Sequence, residues 1–283
     1  MKTRALILLF LVLSISSAFA EEAAAPVAEA KAEKAPVGLN IGFEISSIYN
    51  FRGYNVFGGG DQNAQNIMVA PSLTWTIFDT GLSLGWWSAY QAYGSNRATL
   101  VDTGYGHEQD VFLAYSKAFL DDTLILSAAF TGYLYPFASD NKVDDEKKPG
   151  TGTTCPVYLE PTLGLTYSDA IEIGLNLSYF AGIQDVLEDY RYFYINPRIA
   201  KTFEINKALG MRVALSYGYK VFNKYDKMKD NVHDIRFDYE IPITALKPFV
   251  ITPNIHTGWS NFEGQSIGEE YMIYGGLRLG YDF

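Results

Sequence analysis

The chain has 283 residues and a formal net charge of −10, so it lacks the basic footprint of a nucleic-acid-binding protein. Beyond the first twenty residues, no window holds the 18 consecutive apolar residues of a membrane-spanning helix, which excludes helical membrane proteins. Aromatic residues make up 15% of the chain, a fraction typical of a β-barrel with aromatic girdles at both membrane interfaces.

Residues 1–20 are predicted to be a cleaved signal peptide. Lys2 and Arg4 precede the apolar run ALILLFLVLSI, and Ala18 and Ala20 fit the small-x-small cleavage pattern. Cleavage removes two of the 22 basic residues, which leaves 20 against 32 acidic residues and a net charge of −12. The mature chain is expected in an envelope compartment that permits disulfides, although a single cysteine, Cys155, forms none within the chain.

Residues 21–37 (EEAAAPVAEAKAEKAPV) are a low-complexity segment of Ala, Glu, Lys and Pro. The segment lacks the large apolar side chains that build a core, so it is predicted to be a periplasmic linker. A plain spacer and a segment that contacts the cell wall or a partner are both compatible with this composition.

A period-two pattern of apolar and polar residues occupies residues 38–283. Ile41 and Phe43, for example, alternate with Gly42 and Glu44. Successive side chains of a strand point to opposite faces, so each such segment has one apolar face and one small or polar face. Twelve segments show the pattern: 37–51, 67–77, 82–87, 110–116, 124–131, 157–166, 171–178, 193–200, 211–218, 234–241, 249–256 and 271–283.

The connections between these segments alternate in length. Short turns are expected near residues 78–81, 121–122, 168–169, 206–207 and 244–245, and longer polar loops near residues 58–65, 94–106, 138–154, 184–189, 223–231 and 261–270. Short periplasmic turns and longer extracellular loops are typical of bacterial outer-membrane barrels, as is an even number of strands. We therefore predict an all-β fold, an antiparallel transmembrane β-barrel of about 12 strands over residues 38–283.

A soluble β-sandwich or barrel also alternates, but it places the apolar face inside. Here the second face carries Gly, Ala, Ser, Thr and charged residues, which line a wet lumen better than they fill a dry core. The apolar face is then expected to contact outer-membrane lipid and lipopolysaccharide. The terminal aromatic, Phe283, resembles the signal that the barrel-assembly machinery reads.

Ten charged residues of the second face are predicted to line the lumen: Glu44, Arg52, Glu160, Glu172, Arg198, Arg212, Arg236, Asp238, Glu240 and Arg278. Spread apart, they would line a water-filled pore and set its ion selectivity. Paired across the lumen, they would form a plug. The many small residues of this face favour an open pore, so we predict a channel for passive diffusion of small hydrophilic solutes. A closed structural barrel is the alternative, and the near balance of signs predicts no ion preference.

Six aromatic residues are expected on the same inward face: Trp87, Tyr133, Tyr135, Tyr158, Tyr194 and Tyr274. Aromatic rings stack on the faces of sugars or nucleosides, but they also fill a lumen or lie at the membrane interface. The pattern alone leaves these alternatives open.

The chain is predicted not to be an enzyme and to need no cofactor. It contains three histidines, His107, His233 and His256, and no nucleophile elbow or metal-ligand spacing appears. Hydrolysis of outer-membrane lipid is retained as an alternative, since a histidine within reach of a serine would activate it.

Several motifs resemble the TorF family of short outer-membrane porins. They are SIYNFRG at 47–53, TG at 80–81 with GWWS at 85–88, EQDVFLAYSKAF at 108–119, YLYP at 133–136 and LGLTYS at 163–168. The resemblance covers the barrel but not the linker, and it weakens beyond Asp185. It implies an outer-membrane barrel with channel function, and it implies no substrate and no catalytic residues.

Overall fold

A computed structural model describes residues 37–57, 66–94, 106–138, 156–183, 191–222, 232–261 and 270–283. The expected signal peptide, all of the expected linker except Val37, and most residues of the predicted long loops lie outside the described residues. Within these ranges, no helix is long and apolar enough to cross a membrane.

The described residues form fourteen β-strands. They are β1 (Leu39–Ser46), β2 (Asn50–Phe51), β3 (Tyr54–Asn55), β4 (Asn66–Thr76), β5 (Leu82–Gly94), β6 (His107–Phe119), β7 (Leu124–Leu134), β8 (Val157–Ser168), β9 (Glu172–Gly182), β10 (Arg191–Asn206), β11 (Leu209–Phe222), β12 (Val232–Glu240), β13 (Phe249–Ser260) and β14 (Glu270–Asp282). Twelve of them close into one barrel, in which β1 pairs with β4 and β14 and the rest pair in chain order. All neighbours are antiparallel, so the predicted fold class is confirmed.

The barrel turns its apolar face outward. Ile41 of β1 pairs with Leu73 of β4, and both side chains are exposed, at 44% and 40%. Leu113 and Phe130, paired between β6 and β7, are exposed in the same way. A soluble barrel would bury such residues, whereas a membrane barrel places them against lipid. The prediction of an apolar outer face and a small or polar inner face is confirmed.

Short connections gather at one end of the barrel, here called the turn end. They span residues 77–81, 120–123, 169–171, 207–208 and 241–248, and both chain termini of the described barrel lie there, since the Val37 amide donates to the Phe283 carbonyl at 3.2 Å. Each short turn lies where a turn was predicted. The opposite end, here called the loop end, carries the longer connections. By the rule for such barrels, the turn end is periplasmic and the loop end is extracellular.

The end of the first strand was predicted wrongly. β1 ends at Ser46 instead of continuing to Phe51, and the chain then leaves the wall and enters the lumen. Residues 47–57, here called the lumen hairpin, contain β2 and β3, in which Asn50 pairs with Asn55 and Phe51 with Tyr54. The two residues between them have positive φ angles, as a two-residue type I′ hairpin turn requires.

Candidate functional site

The inner wall carries nine of the ten predicted lining residues. All nine lie on barrel strands, at positions whose chain neighbours face the lipid. The tenth, Arg52, was expected at the end of the first strand, and it lies instead at the tip of the lumen hairpin. Its side chain still faces the lumen, because the hairpin itself is inside. The part that these residues play in permeation stays a prediction.

Ion pairs join the charged residues of the turn-end half. Arg212 of β11 reaches Glu172 of β9 across β10, with 2.9 Å between Nη2 and Oε1. Arg278 of β14 pairs with Glu240 of β12 across β13 in the same way.

Five more residues complete this group. Arg236 and Asp238, two residues apart on β12, pair at 2.7 Å, and Glu44 lies opposite Arg278 in the β1–β14 register. Arg198 lies between Gly174 and Ser216 of the neighbouring strands. The group is called the charged belt: Glu44, Glu172, Arg198, Arg212, Arg236, Asp238, Glu240, His256 and Arg278. All of its residues lie on β1 and β9–β14, so the charge occupies one side of the lumen.

The facing wall, β4–β8, carries mostly small inward side chains in this half. They are Ser72, Thr74, Ser83, Gly85, Ala114, Ser116, Ser127, Ala129 and Gly164. Phe112 is an exception, and its ring lies over Gly85, where a Cβ would overlap it. A charged side therefore faces a side of small residues, an arrangement that leaves room for water between them.

Arg52 anchors the tip of the lumen hairpin to the far wall. Its Nη2 lies 2.5 Å from Oε1 of Glu160, and both side chains are only 6% exposed. Its Nη1 donates to the hydroxyl of Tyr192 at 3.1 Å, and its Cζ lies 4.4 Å from the ring centroid of Tyr194. The backbone carbonyl of Arg52 accepts a hydrogen bond from Nζ of Lys220 at 2.7 Å. Charge-assisted bonds of this kind are the stronger ones in proteins.

The turn at the hairpin tip is strained. Arg52 has a φ of 52°, a left-handed conformation that costs a residue other than glycine roughly 1–3 kcal/mol. Gly53 follows with a φ of 76°, and a Cβ there would lie 2.7 Å from Cβ of Asp234 and 2.8 Å from Oγ of Ser260. Only glycine fits this position without displacing the wall. The contacts of Arg52 hold the strained conformation in place.

The first half of the hairpin packs against β5 and β6. The ring of Tyr49 lies 5.1 Å from that of Phe57 and 5.6 Å from that of Trp87. The hydroxyl of Tyr49 donates to Oε1 of Glu108 at 3.2 Å, and Tyr135 donates to Oε2 of the same carboxylate at 2.7 Å. Glu108 is thus buried and accepts two phenolic hydrogen bonds.

The centre of the hairpin reaches the opposite strands. Asn50 donates from Nδ2 to the hydroxyl of Tyr274 at 3.1 Å. Phe51 packs against Tyr133 and Phe180, with centroids 6.0 and 5.9 Å apart. Its ring extends a group of stacked aromatic residues on β7–β10.

The six predicted inward aromatic residues therefore have protein partners. Four of them contact the hairpin directly, and Tyr135 donates to Glu108, the carboxylate that Tyr49 of the hairpin also bonds. The sixth, Tyr158, stacks on Phe180 at 4.9 Å. The structure favours lumen filling over a free stacking surface for these rings.

The three histidines do not form an activated serine. Oγ of Ser88 lies 3.3 Å from Nε2 of His107, but it donates to the backbone carbonyl of Glu108 at 2.8 Å, and Gln109 contacts the same histidine nitrogen. The other two histidines have partners of another kind: His233 bonds to Tyr217, and His256 bonds to Asp238. This geometry does not favour the lipid-hydrolysing alternative.

The predicted lining set omitted charged residues that the structure places inside. Glu108 and Asp234 are buried and face the lumen, beside Asp110 and Lys220 in the same half. Strand alternation could have found both, because Glu108 shares a face with Asp110, and Asp234 shares one with Arg236. The hairpin had a weaker signal in the sequence: Arg52-Gly53 lies between two pairs of an Asn and an aromatic residue, Asn50-Phe51 and Tyr54-Asn55.

The chain matches no family model, and no curated protein matches its sequence. Solved structures do match. The KdgM porin aligns at 11% identity over 86% of this chain and 99% of that one, with a TM-score of 0.50. An outer membrane channel from Pseudomonas putida F1 aligns at 11% identity over 91% of this chain and 100% of that one, with a TM-score of 0.53. Identities this low show the fold alone, and the chain is therefore a twelve-stranded barrel of the outer-membrane type.

Proposed function

We propose that this barrel is a small channel for passive diffusion of hydrophilic solutes across the outer membrane. The observation that carries the proposal is the turn-end lumen, where the charged belt faces a wall of small side chains. The paired side chains of the belt are 3–17% exposed, so they satisfy one another along the wall, and the small side chains opposite them provide the space that solutes would use. Two of the matching structures are named as a porin and as an outer membrane channel, which agrees with this function.

We also propose that the chain is a porin of the TorF type. The support is the set of motifs in its first half. One of them, SIYNFRG at residues 47–53, forms most of the lumen hairpin, so it occupies the position where it would affect permeation most. No substrate follows from this resemblance.

One observation favours a second candidate, a closed structural barrel. The lumen hairpin fills much of the loop-end half, and its polar groups are bonded to the wall. A barrel that stays in this state would carry little solute.

Single-channel recording separates the two candidates. The mature chain, residues 21–283, would be refolded in detergent and added to a planar lipid bilayer, with heat-denatured protein as the control. We expect discrete current steps whose size grows with salt concentration. Folded and inserted barrels that pass no current would contradict the diffusion channel and support the closed barrel.

Phe283 is our proposed contact for the barrel-assembly machinery. It is 43% exposed at the turn end, its ring lies 4.4 Å from that of Tyr281, and its amide donates to Leu39 at 2.9 Å. Phe283→Ala is expected to lower the amount of barrel in the outer membrane of cells and to leave refolding in detergent unchanged. Equal loss in both assays would indicate a folding defect instead.

A further inference from the structure

The lumen hairpin contacts the whole circumference of the barrel. The contacts described above come from β5 to β12 and from β14. In addition, Met68 of β4 packs in the cluster around Tyr49, and Ser260 of β13 lies beside Gly53. Every barrel strand from β4 to β14 therefore places a side chain against this short segment, and β1 leads directly into it.

A segment that touches every strand crosses the lumen and narrows it at that level. On the turn-end side of the hairpin, the small residues of β4–β8 leave the lumen wider than it is at the level of the hairpin. We propose that the lumen hairpin is a displaceable constriction that sets the exclusion limit of the channel and is held in place by Arg52. The inference rests on the proposed channel function and names the element that limits it.

Side chains of the wall bond to the carbonyls of Arg52 and Phe57, and backbone hydrogen bonds join the hairpin to the wall at its base. There the amide of Ser47 donates to Gly275 at 3.0 Å, and the amide of Asn66 donates to Ser47 at 2.9 Å. Its own ladder has two residue pairs, and a two-stranded hairpin is barely stable alone. The hairpin can therefore leave the lumen without breaking any pairing between the twelve barrel strands.

Opposing contributions set the resting position. The rings of Tyr49, Phe51 and Phe57 lose apolar burial when the hairpin leaves, which favours the closed state. Arg52 and Glu160 regain water, and the positive φ of Arg52 relaxes, which favours departure. Because burial of the ion pair has a desolvation cost, its net strength is modest, and an exchange between two positions becomes feasible.

The first test removes the hairpin. Residues 48–57 would be replaced by Gly-Ser, folding would be checked by heat-modifiable gel migration, and conductance and liposome swelling would be compared with wild type. We expect a several-fold rise in conductance and entry of larger sugars. A wild type that is silent while the variant conducts also supports the constriction, although it contradicts free diffusion in the resting state.

Two other outcomes of this test count against the proposals in different ways. If both proteins conduct with the same step size and exclusion limit, the hairpin does not limit the channel, and the channel function stands. If both are folded, inserted and silent, the channel function fails, and the constriction fails with it.

The second test removes only the anchor. Arg52→Ala is expected to produce larger or more frequent openings than wild type. The matched control is Arg191→Ala. Arg191 lies at the same end of the barrel, but its position on β10 faces outward, so this variant should conduct as wild type does. Equal behaviour of the two variants would overturn the role of Arg52.

Discussion

The two halves of the lumen satisfy their inward charges in different ways. In the turn-end half the wall supplies its own partners, and Arg212 reaches Glu172 across an intervening strand. In the loop-end half the carboxylate of Glu160 receives its guanidinium from Arg52, a residue that is not part of the wall. Where a barrel wall pairs its own charges, the middle of the lumen can stay open. In the loop-end half, where the wall does not, the hairpin enters and supplies the partner.

Charge balance explains the difference. Among the described residues, the loop-end wall places four acidic side chains inward (Glu108, Asp110, Glu160 and Asp234) and one basic side chain, Lys220. The lumen hairpin adds Arg52 and the hydrogen-bond donors of Tyr49 and Asn50. Buried carboxylates without such partners would be strongly unfavourable. The hairpin is therefore both an obstruction and the counter-charge of this half.

The largest effect is expected from Glu160→Ala. The change leaves Arg52 buried without its carboxylate, which costs about 3–5 kcal/mol if the hairpin stays in place. Urea unfolding in lipid vesicles would measure the free energy of unfolding, with Glu160→Gln, which keeps a hydrogen-bond acceptor, as the control. Should the hairpin leave instead, the loss would be smaller and conductance would rise. No change in either quantity would contradict the anchoring role.

The second largest effect is expected from a charge on the outer face, and it tests whether that face contacts lipid. Leu163, near the middle of β8, is 60% exposed on the outer face. Leu163→Arg should lower the free energy of unfolding in vesicles by about 2–4 kcal/mol, because it places a charge in hydrocarbon. Leu163→Ala serves as the control for lost contacts. Equal stability of the arginine and alanine variants would place this face outside the membrane.

A smaller effect is expected at the small-residue wall. A Cβ on Gly85 would overlap the Phe112 ring, so Gly85→Ala displaces that inward ring further into the lumen and should cost about 1–3 kcal/mol. Conductance should fall as well. Gly280→Ala is the matched control, since its Cβ would meet only Asn40 Nδ2, at 3.8 Å. A conductance unchanged by Gly85→Ala would show that this side of the lumen does not carry solute.

The smallest effect is expected from Glu172→Ala. The side chains of Arg212 and Glu172 are 7% and 14% exposed, against 6% for both partners of the Arg52–Glu160 pair. If the proposed channel lets water reach Arg212 once the carboxylate is removed, only the net strength of one hydrogen bond is lost, and we expect about 1 kcal/mol. The measurement is the same vesicle unfolding, with the double variant Glu172→Ala/Arg212→Ala as the control. A loss as large as that of Glu160→Ala would remove the distinction between the two halves.

The sequence by itself determined the barrel. Alternation shows which face of a strand each side chain occupies, since the period of two is a property of the extended chain. Twelve apolar faces and five short turns were therefore predictable, and so was the inward orientation of residues such as Arg212 and Glu240. Alternation does not show which inward residues meet, because a contact across an intervening strand depends on the register of three strands.

Only the tertiary structure decided the lumen hairpin. Residues 47–51 alternate as well as any strand does, so local pattern favoured a longer β1. Their place inside is decided by partners remote in sequence: Glu160 and Tyr192 lie 108 and 140 residues from Arg52. Closure of the barrel brings these side chains together around one space, and the acidic charge gathered there stabilises a segment that supplies the opposite charge. No local sequence pattern reports the total charge that barrel closure brings together from distant residues. This is the physical reason why the constriction could not be predicted.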